Sequence, residues 1–99
     1  MITMQSNNPN EFYDKLREKL YETSNWPSIY LFKFIVDSDP SKIIKIQQNF
    51  DNMNAEIKSI VSKNGKYTSV SVQVKIESPE IVISKYKKIG NEVDGVISL

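Results

Sequence analysis

Ser62-Lys63-Asn64-Gly65-Lys66-Tyr67-Thr68-Ser69-Val70-Ser71-Val72-Gln73-Val74 joins a turn signal to a strand of strict alternation. Asn-Gly is the dipeptide best suited to the positive φ angles of a two-residue type I′ turn, so Asn64-Gly65 predicts a hairpin. Beyond it Thr68, Val70, Val72, Val74 and Ile76 share one face, and Tyr67, Ser69, Ser71, Gln73 and Lys75 share the other. The first face belongs in a core; the second faces solvent or a partner. Upstream, the segment from Ala55 to Val61 is the weaker strand leading into the turn.

A further strand is written in Ile29 to Val36. Tyr30, Phe32, Phe34 and Val36 fall on one side, Leu31, Lys33 and Ile35 on the other, and so apolar a run belongs at the centre of a sheet. Trp26-Pro27 breaks the chain before it, and the Trp-Pro pair reads as the fastening between a leading helix and the sheet. That helix opens with Asn8 as N-cap, Pro9 at its first position and Glu11 in its first turn. Its apolar stripe is Phe12, Leu16 and Leu20 with Tyr13 beside them. Asp37-Ser38-Asp39-Pro40 repeats the cap-plus-proline grammar before a second helix with Ile43, Ile46, Gln47 and Phe50 on one face. Ser78-Pro79-Glu80 opens a third, in which Val82, Tyr86 and Ile89 face inward and Lys85, Lys87 and Lys88 lie near a C-terminus set by Gly90. Val93 to Leu99 reads as a short final strand.

The order is a leading helix, then strand, helix, strand, strand, helix, strand. This predicts an α+β fold: a ferredoxin-like βαββαβ sandwich with a four-stranded antiparallel sheet, two helices on one face and an extra N-terminal helix. The first and third strands are central. Residues 1–8 carry no periodicity and read as a disordered leader, and 9–99 as a single domain.

Composition narrows the chemistry. The 99 residues contain no histidine and no cysteine, so histidine general bases, Ser/His/Asp triads, disulfides, thiolate nucleophiles and ordinary zinc, copper or haem sites have no residues to build them. Carboxylate pairs, lysine or Mg²⁺ remain as routes to catalysis. The formal net charge is +1, which offers little long-range attraction to nucleic acid. No apolar run has the length of a membrane span, and Met1 to Asn8 lacks the pattern of a signal peptide, so the expected compartment is the cytoplasm.

Trp26-Pro27 before Tyr30-x-Phe32-Lys33-x-Ile35, then Ser62-x-x-Gly65-Lys66-Tyr67-x-Ser69-Val70-Ser71-Val72 and Ser78-Pro79-Glu80-x-Val82-x-x-x-Tyr86, resembles the bacterial YbeD-like family of unknown function, number 493 in the domain-of-unknown-function series. The resemblance spans roughly Phe12 to Leu99. It implies a small cytoplasmic ferredoxin-like domain, similar in shape to regulatory ACT domains. Some members carry a lipoic-acid-binding regulatory label. No catalytic or ligand residues come with it.

The candidate ligand-binding residues are Lys33, Tyr67, Ser69 and Ser71, one lysine and three hydroxyls on the face opposite Phe32 and Phe34, where a carboxylate or phosphate could be held. The plain alternative is a solvated sheet face. Gly65-Lys66-Tyr67 has the look of an RNA-recognition strand, but Ser69 stands where a second stacking ring would be needed. Asp37-x-Asp39 has a spacing able to hold Mg²⁺, and the competing reading is a helix cap. The expectation is a non-catalytic regulatory or interaction module without cofactor or metal, whose partner is a protein or a small carboxylate such as a lipoyl group. The alternatives are a small enzyme using Lys33 or carboxylates, and a nucleic-acid-binding module. If the leading helix covers the open sheet face the chain should be a monomer, the form favoured by the dilution of that face with Lys33, Ser69, Ser71 and Gln73. If the helix packs at the sheet edge instead, a weak symmetric homodimer is expected.

Overall fold

The structure, a computed structural model, describes residues 9–99, with side chains from Glu11 onward; the leader and the Asn8 cap lie outside the described residues. In chain order the elements are α1 (Pro9–Thr23), β1 (Ser28–Asp37), α2 (Pro40–Gln48), β2 (Glu56–Val61), β3 (Tyr67–Ile76), α3 (Pro79–Glu92) and β4 (Ile97–Ser98). The strands form one antiparallel sheet in the order β2-β3-β1-β4, so the two strands with the clearest alternation are indeed its centre. Among the described residues this is an α+β architecture with three helices, compatible with a ferredoxin-like fold.

Alternation on β1 and β3 decides what the core is. Phe32, Phe34, Val36, Val70, Val72, Val74 and Ile76 are all buried, and they meet Ile46 and Phe50 from α2 and its exit, and Val82, Tyr86 and Ile89 from α3. Phe32 lies at the middle of an aromatic cluster, with ring centroids 4.8 Å from Tyr30, 5.0 Å from Phe50 and 5.2 Å from Tyr86. Such edge-to-face and tilted contacts suit the ring quadrupoles.

α1 lies on the helix side as well. Leu20 is buried in the core, Tyr13 and Leu16 pack against it, and the Tyr21 hydroxyl donates to Glu80 of α3 at 2.5 Å. Trp26 fastens the junction as its sequence position implies, since its indole N–H donates to the Leu20 carbonyl at 3.0 Å. The opposite sheet face is left bare by all three helices. Phe12, the first residue of the predicted α1 stripe, is 62% exposed, so the buried part of the stripe is Leu16 and Leu20 with Tyr13.

The end of α3 and the extent of the final strand differ from the sequence reading. Gly90 does not end α3; the helix continues to Glu92 and Val93 is its C-cap, so Lys85, Lys87 and Lys88 do not occupy the last turn. The positive φ that terminates this region belongs to Gly95, at 73°. Consequently Val93 is a buried cap residue rather than strand, and β4 shrinks to Ile97–Ser98.

The hairpin is also built differently. Asn64 is not among the positive-φ residues; Gly65 is, at 77°. The Ser62 carbonyl accepts the Gly65 N–H at 2.8 Å, so the Tyr67 N–H turns to the Ser62 hydroxyl, while Asn64 Oδ1 accepts from Ser62 Oγ and the Lys66 N–H. Side chains thus replace the last ladder bond, and the link is the four residues between Ser62 and Tyr67. Its midpoint still falls between Asn64 and Gly65, and Val61 pairs with Thr68, so the register expected for a two-residue turn is preserved.

Candidate functional site

The register arranges the open face as rows running across the sheet. Ile97, Ile35, Ser69 and Ile60 form one row; Lys33, Ser71 and Lys58 form the next; Leu31, Gln73 and Glu56 form a third. Directly opposed residues in an antiparallel sheet stand about 4.5–5.5 Å apart at Cα, so each row is a set of side-chain neighbours. Leu31, Ile60 and Ile97 are each more than half exposed, and Tyr67 is exposed beside them.

All four residues singled out from the sequence lie on this face, but they do not form one cluster. Lys33 and Ser71 are direct cross-strand partners, whereas Ser69 is paired with Ile35. Tyr67 is four residues along β3 from Ser71, about 13 Å at about 3.3 Å per residue. It belongs instead to a shallow depression of about 320 Å³ with Ile35, Ile60, Ser62 and Ser69. The face therefore presents a basic strip beside an aliphatic strip. Lys58 and Ile60, which complete these strips, were missed from sequence because β2 shows no strong period; the Asn64-Gly65 midpoint would have placed them opposite Ser71 and Ser69.

Other sequence candidates have structural duties. Asp39 caps α2, accepting from the Ser41 N–H at 2.9 Å and its hydroxyl at 2.8 Å; these bonds hold its carboxyl below the usual value. Asp37 pairs with Lys42 at 3.1 Å. Among the described residues no group of three or more acidic side chains is placed to share a metal ion. Lys66 lies over the Tyr67 ring, 5.4 Å from its centroid. Among the described residues, too, no helix is long and apolar enough to cross a membrane.

A second concavity, about 260 Å³, lies on the other side of the sheet between α1, α3 and the chain end, lined by Phe12, Leu16, Tyr30, Tyr86 and Leu99 among others. At its floor the Tyr30 and Tyr86 hydroxyls are 3.0 Å apart. Burial first, and then that hydrogen bond, pushes the Tyr86 phenol well above its ordinary range.

Residues 22–97 match the family described as "Protein of unknown function (DUF493)". The chain belongs to the DUF493 family. No curated protein and no solved structure matches it. The match runs from before β1 to Ile97, the first residue of β4, so the rows of the bare face lie within it, whereas most of α1 precedes it.

Proposed function

We propose that this DUF493 protein is a non-catalytic interaction module whose open sheet face is its contact surface for another protein. The observation that carries the reading is the row structure of that face: exposed Leu31, Ile60 and Ile97 flank a strip of Lys33, Ser71 and Lys58, and none of α1, α2 and α3 lies above them. Apolar area supplies affinity on association, and two lysines beside it select a partner segment that brings a carboxylate. A photo-crosslinking residue at Leu31 should trap a discrete partner in the source cell, and the same residue at Ile44, exposed on α2, should not. Lys33→Glu should weaken the Leu31 adduct. Equal labelling from both positions would remove the reading.

The basic strip also supports a small apolar acid as occupant, the lipoyl group being one of that chemistry. Its tail would lie along Leu31 or Ile35 with its carboxylate at Lys33. Calorimetry with lipoate and octanoate separates the two occupants. Heat that disappears in Lys33→Ala supports the free acid, and a silent titration of folded protein leaves the protein partner.

A further inference from the structure

The outer side of β2 is a six-residue strand edge, and among the described residues nothing pairs with it. We infer that β2 pairs antiparallel with β2 of a second copy about a twofold axis at Ile57, joining two sheets into one of eight strands.

The available backbone groups can be assigned. The Ser62 N–H donates to the Tyr67 carbonyl, and the Ser38 N–H to the Lys66 carbonyl, so odd-numbered residues of β3 face β2 and even-numbered ones face β1. In an antiparallel ladder the bonding groups alternate along each strand. Residues 56, 58 and 60 therefore use their amides and carbonyls on β3, and 57, 59 and 61 point theirs outward. A twofold pairing through the outward groups must centre on a residue rather than between two, because outward-facing residues can pair only with one another. Centring on Lys58 would set the two lysines directly opposite one another, a like-charge clash.

Charge selects the centre. About Ile57, Glu56 of each copy stands opposite Lys58 of the other on the open face, giving two reciprocal ion pairs between exposed side chains. On the helix face Ile57 meets its own symmetry mate, and Ala55 meets Ser59, so small or half-buried side chains fill the seam. Centring on Ser59 instead would set Lys58 opposite Ile60 and leave the two lysines diagonal without their glutamates. A second copy fits this edge because the sequence Glu56-Ile57-Lys58 is complementary to itself when reversed. So short a seam gives a weak, concentration-dependent dimer.

The test is a charge swap read by sedimentation equilibrium. Wild type should self-associate, and Glu56→Lys and Lys58→Glu should each weaken self-association by about ten-fold, since each replaces two attractions by two repulsions. A one-to-one mixture of the two variants should form a heterodimer at least as tight as wild type. Both positions are exposed, and circular dichroism of each variant checks that the fold is kept. Wild type that stays monomeric at millimolar concentration, or a mixture that does not associate, would overturn the inference. The register has its own readout in a chain without cysteine. Under mild oxidation Ala55→Cys/Ser59→Cys should give a covalent dimer, because opposed Cα atoms about 5.5 Å apart suit a disulfide. Ser59→Cys alone should not, and rapid dimer from that single variant would overturn the Ile57-centred register.

Discussion

Phe32 and Asp39 are single residues on which neighbouring structure converges. Phe32 is fully buried and touches rings from β1, α3 and the exit of α2. Phe32→Ala should destabilise the fold by about 3–5 kcal/mol. Because domains of this size are stable by only about 5–15 kcal/mol, urea melts should show a much lower midpoint or no cooperative transition. Asp39 acts through its charge and its geometry together. The Ser41 hydroxyl and amide lower its carboxyl from its ordinary value of 3.8, so the folded state holds that proton less tightly than the unfolded chain. The resulting stabilisation is present above 3.8 and is lost as pH falls through the lower folded-state value. Asp39→Ala should therefore lower the thermal midpoint at neutral pH, and the gap from wild type should narrow in melts run below that range. A gap that is constant with pH would mean that the ionised carboxylate is not the cap.

At the scale of elements, α3 and the hairpin show how local signals compete with packing. Gly90 carries the usual sign of a helix end, yet Ile89 and Val93 both need burial, and a helix continued through Gly90 places them on one side four residues apart. Nothing lies within 4 Å of a Cβ built at Gly90, and its φ is not positive. Gly90→Ala should raise stability by about 0.5–1 kcal/mol, read as a higher midpoint in denaturant at unchanged slope. The same substitution at Gly65 should destabilise, because its φ of 77° is strained for any residue with a Cβ. In the hairpin Ser62 and Asn64 take over bonds that a two-residue turn would make by backbone alone. A dipeptide signal could locate that turn's centre but could not show that neighbouring side chains would lengthen it.

For the whole molecule, α1 decides which surfaces are free. It packs beside α3 and over the Tyr30–Tyr86 pair, leaving the opposite face of the sheet open. A chain beginning at Ser24 loses buried Leu20 and the acceptor of the Trp26 indole. It should melt at lower temperature and bind more of an apolar dye, yet keep Leu31 and Lys33 as accessible as before. A shortened chain as stable as the full one would show that α1 contributes no necessary cover.

By itself the sequence determined the element types, the central pair of strands and the inward side of each, because these follow from periods of two and 3.6 and from proline and cap chemistry acting over a few residues. It also determined which side chains of β1 and β3 would share a face, and so where Lys33, Tyr67, Ser69 and Ser71 would stand relative to the core. Tertiary structure alone decided that Lys33 stands opposite Ser71 while Tyr67 lies far along the strand, that α1 joins the helical layer, and that α3 runs through Gly90. The reason is physical: alternation fixes the direction of a side chain, whereas its neighbours depend on cross-strand register and on where buried apolar area is gained, and those couple residues distant in the chain.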